Sequence, residues 1–136
     1  MNQELSHAPT PVRQFTTLLS STRRGARLAR CLTVAQLAAW QCHFNHAEHI
    51  VAELANNAAL HGRTAGRNFR LTLTVTGATL RVEVTDTRGD VLPTARHADP
   101  DAESGRGLLL VEALATRWGT EAGPAPCKTV WAEIDG

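Results

Sequence analysis

The chain has no tyrosine, three tryptophans, three phenylalanines and a single methionine. With so few aromatics and a net charge of +1 it lacks the stacking platforms and the basic footprint of a nucleic-acid binder. The same neutrality removes electrostatic attraction to an anionic membrane. Cys31, Cys42 and Cys127 are odd in number and show no CxxC spacing, which excludes a disulfide framework and a zinc ribbon and leaves small packing residues. Long apolar runs are missing too. The most apolar stretch, Leu28 to Trp40, is broken by Arg30, Thr33 and Gln36, so no membrane span or signal peptide is expected and a cytoplasmic protein is. Neither GxxxxGK[ST] nor GxGxxG after a leading strand occurs, which excludes P-loop and Rossmann nucleotide sites.

What is present suits a single domain of 136 residues, long enough to bury a core without staples. Residues 1–12, with Pro9 and Pro11, read as a loose tail before a domain over 13–136. Gln14 to Leu19 offers an edge strand. Ser20-Ser21-Thr22 offers an N-cap for a helix over Arg23 to Trp40, with Leu28, Cys31, Leu32 and Leu37 as its expected buried face. A second helix covers His46 to His61 and ends at Gly62. The period then changes to two: Arg70 to Thr76 and Leu80, Val82, Val84 alternate around Gly77-Ala78-Thr79, predicting an antiparallel hairpin. Residues 87–104 have no periodicity, as in a functional or mobile loop. A third helix is expected after Gly107, with Leu108, Val111, Leu114 and Ala115 at helical spacing, and Val130, Ala132 and Ile134 mark a last strand. Trp118, at the end of that helix, and Trp131, within the strand, read as packing residues. Helices first, then an antiparallel-looking sheet with an inserted helix, predict an α+β fold.

Three segments carry chemistry. Glu53, Asn57 and His61 recur every four residues, and at about 100° per residue a step of four drifts by only about 40°, so they share one helix edge. Ala47, Val51, Leu54 and Ala58 form the apolar stripe beside them. A carboxylate and an amide at a core margin can hold a metal through oxygen and move a proton, although an ordinary polar helix flank has the same pattern. Asp86 continues the parity of Leu80, Val82 and Val84, which aims its carboxylate at the apolar face unless the strand has already ended. A buried acceptor there suits an exocyclic amine. Ser104-Gly105-Arg106-Gly107-Leu108 puts two glycines at a helix start, where backbone N–H groups can approach phosphate; a plain helix-entry turn looks the same. His43, His46 and His49 step by three and drift by about 60°, so they fit a metal site poorly and read as solvated.

The order of these segments resembles the Bergerat-fold ATPases of the GHKL superfamily, and among them the small anti-sigma-factor serine/threonine kinases and their stand-alone ATP-binding relatives. The resemblance covers roughly residues 20–134 and implies a two-layer α/β sandwich, its mixed, mostly antiparallel sheet covered on one face by about three helices. It implies ATP and Mg²⁺ as ligands. By position, Glu53 resembles the base that activates the attacking hydroxyl, and Asn57 the residue giving an oxygen to Mg²⁺. Asp86 matches the acceptor of the adenine amine, and Thr129 a threonine near the adenine. Gly105, Arg106, Gly107 and Leu108 match the phosphate-facing segment, with residues 87–104 as the lid over nucleotide and Arg88 or Arg96 as further cations. The family's Asp-x-Gly-x-Gly reads here Asp86-Thr87-Arg88-Gly89-Asp90, and Cys127-Lys128-Thr129 stands where a glycine is usual. Implied partners are a sigma factor and an anti-sigma antagonist, docking on the lid or on the helix from Arg23, with a homodimer as a further option. Two other functions stay open: a non-catalytic, nucleotide-responsive binding module, and a detached histidine-kinase ATP-binding domain, which is disfavoured because no dimerisation helix pair with a phospho-acceptor histidine precedes it.

Overall fold

The computed structural model describes residues 11–61, 68–86, 103–122 and 127–136, with the side chains of 60–61 and 103–107 outside that description. In chain order the elements are β1 (Val12–Ser20), α1 (Arg23–Ala39), α2 (Ala47–His61), β2 (Asn68–Thr76), β3 (Thr79–Asp86), α3 (Glu103–Leu114), β4 (Arg117–Ala122) and β5 (Lys128–Asp135). The strands form one sheet in the order β1-β2-β3-β5-β4. Among the described residues every pairing is antiparallel, where a mixed, mostly antiparallel sheet was expected.

Alternation builds the core. Phe69, Leu71, Leu73 and Val75 of β2 meet Leu80, Val82 and Val84 of β3, which in turn meet Val130, Ala132 and Ile134 of β5, all buried on one face. The helices cover that face, α2 touching β2, β3 and β5 while α1 and α3 flank it. At roughly 25 cal/mol per Å² this apolar burial is the main force holding the two layers together. The opposite face carries threonines and ion pairs. Gly77, at φ 60°, is the first residue of the two-residue β2–β3 turn, where the right-handed twist of the strands demands a positive φ.

Helix α1 starts as expected, with the Thr22 hydroxyl accepting from Gly25 N–H at 3.0 Å. Its buried face differs from the expectation. Gly25, Ala26, Ala29, Thr33 and Leu37 point inward, whereas Leu28 is 45% exposed, Cys31 is exposed and Leu32 is half-buried. Small residues win because the helix lies close to its neighbours: a Cβ on Gly25 would come within 1.8 Å of the Ser20 carbonyl oxygen. Hydrophobicity alone pointed to the larger side chains.

Strand β4 is a second departure. Trp118 lies in it, not at a helix end, because α3 stops at Leu114. As an edge strand it is largely exposed and never alternates, so its sequence carries no period-two signal. Gly119 sits opposite Trp131, whose indole lies where a Cβ would be, 3.0 Å from Cζ2.

Candidate functional site

Helix α2 is buried on more than one side, since it lies between α1, α3 and the sheet. Ala47, Ile50, Val51, Leu54, Ala55, Ala58 and Ala59 are all buried. Asn57 is drawn in with them and is only 4% exposed. Its Oδ1 atom is fully buried and has no hydrogen-bond partner among the described residues. A carbonyl oxygen in that state costs about 1–3 kcal/mol unless something coordinates it, so it fits a ligand donor. Glu53, one turn earlier on the same edge, is half-buried, which leaves its carboxylate open to a reacting group. The side chain of His61 lies outside the described residues.

Asp86 ends β3 at 4% exposure on the helix-covered face, where strand parity puts it. Its neighbour on β2 is Phe69, fully buried, and its partner on β5 is Lys128, 2% exposed. Lys128 Nζ is 3.6 Å from Asp86 Oδ2. A buried charge needs such a counter-charge, and the pair places one of each sign together on the inner face. Lys128 was legible by the same parity rule: Val130, Ala132 and Ile134 face inward, and so must residue 128. Sequence reasoning noted that lysine only as a replacement for glycine and gave it no role.

Thr129 takes the other parity. Its hydroxyl shares a hydrogen bond with Thr85 at 2.7 Å on the outer face of the sheet. The structure therefore places Thr129 on the opposite face from Asp86, whose register partner on β5 is Lys128.

Helix α3 begins at Glu103, five residues before the expected start after Gly107, because Glu103 to Gly107 continue the helical backbone N-terminally. Gly105, Arg106 and Gly107 therefore belong to its first turns, and residues 103–104, expected in the loop, are helical. The first four N–H groups of a helix have no intrahelical partner, and the dipole is positive there, so this end suits an anion. Leu108 is 2% exposed and packs in the core, where it fixes that end against α2. Residues 87–102, including Arg88, Gly89, Asp90 and Arg96, lie outside the described residues, as do Gly62 and the tail up to residue 10.

His46 and His49 have ring centroids 6.2 Å apart, and among the described residues no three His, Cys, Asp or Glu side chains gather as a metal cluster. Asn57 lies outside that chemistry, since a hard cation such as Mg²⁺ takes amide oxygens together with phosphate. No helix of the described residues is long and apolar enough to cross a membrane.

Comparison with known proteins bears on the fold and the family. No curated protein matches the chain. Among solved structures, the crystal structure of the RsbU and RsbW domains of Rv1364c from Mycobacterium tuberculosis is similar, with a TM-score of 0.63 at 24% identity over 95% of this chain. The chain spans 34% of the length of that protein, and the likeness is one of fold. The family model of the histidine kinase-like ATPase domain matches residues 15–133, nearly the whole chain and every element from β1 to β5. The chain belongs to the histidine kinase-like ATPase domain family.

Proposed function

We propose that this protein is an ATP-binding regulator of the anti-sigma-factor type that acts as a protein-serine/threonine kinase on an antagonist protein. The observation that carries the reading is Asn57, whose buried carbonyl oxygen has no partner among the described residues and sits one helical turn from Glu53. Family membership and the RsbW-containing structural neighbour support it.

In this reading Asn57 Oδ1 supplies an oxygen to Mg²⁺, and Asp86 accepts a hydrogen bond from the base. The N-terminal turn of α3, with Gly105, Arg106 and Gly107, holds the phosphates through its backbone donors. Bound Mg-ATP supplies the phosphoryl group and the charge that neutralises its phosphates. Glu53 would take the proton from the serine or threonine hydroxyl of the antagonist as that oxygen bonds to the γ-phosphorus and the bond from that phosphorus to the ADP oxygen breaks, releasing ADP. The protein contributes position and fixed dipoles.

A non-catalytic nucleotide-responsive module is the second reading, favoured by the Asp86–Lys128 pair at the base position. Titration with ATP, with and without Mg²⁺, followed by a transfer assay on the cognate antagonist, separates the two. Magnesium-dependent binding with transfer that disappears in Glu53→Gln supports the kinase. Binding without transfer in the unaltered protein supports the module, and no binding of ATP removes both.

A further inference from the structure

Helix α1 carries a second apolar stripe, which the described residues leave uncovered. Arg30 marks the flank that faces α2, since its Nε lies 4.0 Å from Glu48 Oε2. At about 100° per residue, Leu28, Leu32, Ala35 and Ala39 each fall within about 40° of the direction opposite Arg30. That flank points away from α2, at the β1 end of the sheet. Leu28 is 45% exposed, Leu32 is half-buried, and Ala35 and Ala39 are exposed. Their spacing of four, three and four residues is that of a seam between two helices. The leucines expected from the sequence to be buried are thus out of the core but still in register with one another.

We propose that this seam docks on a second copy of the chain, the two α1 helices packing antiparallel about a twofold axis level with Thr33 and Val34. The occupant follows from self-complementarity. In that register Leu28 faces Ala39 of the other copy and Leu32 faces its Ala35, so every large side chain meets a small one. A parallel pair would set leucine on leucine and alanine on alanine, crowding one end and leaving a gap at the other. Charge points the same way. Arg23, Arg24, Arg27 and Arg30 crowd the first half of α1, whose first turn holds no acid and whose last turn holds no base. Cations are disfavoured at the positive end of a helix dipole and favoured at the negative end. Antiparallel packing brings the arginines of each copy beside the C-terminal end of the other α1, whereas a parallel pair would put both sets together. A single pair of 17-residue helices is a small interface, so the association is reversible.

The test is sedimentation equilibrium of the purified chain, with circular dichroism recorded for each variant. The unaltered chain is expected to dimerise with a Kd of about 1–100 μM. Ala35→Arg, at an exposed helical position, is expected to keep the fold and weaken the dimer by at least about tenfold. A charge swap reads the register. Leu28→Glu and Ala39→Lys should each weaken association alone, and together they should bind more tightly than either, because only antiparallel packing sets the new glutamate against the new lysine. A folded chain that stays monomeric at about 200 μM overturns the proposal and leaves the flank to a different protein. A dimer unmoved by Ala35→Arg overturns it by placing the contact elsewhere. A double variant weaker than both single ones overturns the antiparallel register. Should Ala35→Arg unfold, the charge swap decides.

Discussion

Thr85 and Thr129 face each other across β3 and β5 with their hydroxyl oxygens 2.7 Å apart, on the side of the sheet away from the helices. One residue further along each strand, Asp86 and Lys128 face each other on the helix side. Strand parity thus separates a pair on the outer face from a pair on the inner face, which the proposed function puts at the base. Thr129→Val is expected to change ATP affinity by less than about threefold while costing about 0.2–1 kcal/mol of stability. Calorimetric titration and a denaturant melt check both halves; a large loss of affinity would put Thr129 back beside the base.

Asn57→Leu keeps the number and branching of the side-chain heavy atoms and removes an oxygen that is buried without a partner among the described residues. The variant is expected to be at least as stable as the parent, because an unsatisfied carbonyl no longer has to be desolvated. Magnesium should no longer strengthen its nucleotide binding. A thermal melt paired with ATP titrations at two Mg²⁺ concentrations reads both effects, and retained metal dependence would remove Asn57 from the metal site.

Gly25→Ala should be among the most damaging small changes in the molecule. The new Cβ would lie 1.8 Å from the Ser20 carbonyl oxygen and 2.9 Å from its carbon, both backbone atoms that cannot swing aside. Overpacking of this kind costs about 1–3 kcal/mol. Urea denaturation measures it, and a neutral result would mean that α1 can shift away from β1.

At the other end of α1, Gln41 holds φ 56°, with its N–H bonded to Ala38 O and the Cys42 N–H bonded to Leu37 O. That is a Schellman cap with glutamine in the left-handed position, where a Cβ costs roughly 1–2 kcal/mol. Gln41→Gly is expected to raise stability by about 1 kcal/mol, after the entropy of the freer unfolded chain is subtracted. A loss of stability would show that the glutamine side chain holds the turn.

The outer face of the sheet predicts a pH dependence. Hydrogen bonds from Arg117, then from Arg81, hold Glu133 below its ordinary value, and bonds from Arg117, then Thr79, do the same for Asp135. A carboxylate whose folded pKa is depressed binds its proton more readily when unfolded. Its contribution is therefore fully present above the ordinary values of 4.5 and 3.8 and is lost as pH falls through the lower folded values. Both residues are partly exposed, so the slope is modest and screened by salt. Arg117→Met is expected to flatten the loss of stability on the acid side of about pH 4, in melts recorded at several pH values. An unchanged slope would place the acid sensitivity outside this outer-face network.

The sequence by itself determined those elements in which one face is wholly buried. The alternations in β2, β3 and β5 and the stripe of Ala47, Val51, Leu54 and Ala58 in α2 are direct records of core contact, and the structure places them as that pattern requires. The same periodicities put Asp86 on the inner face and Glu53 beside Asn57, because two carboxyl- or amide-bearing residues inherit the phase of their apolar neighbours. Tertiary structure alone decided the rest. The inward face of α1 is set by how closely helix and strand approach, which favours Gly25 and Ala29 over the larger Leu28. Strand β4 exists because β5 offers it a partner, and backbone pairing leaves no trace in side-chain period. The register of β3 against β5 brings Lys128 to Asp86, a coincidence of two strands far apart in sequence that no local pattern encodes.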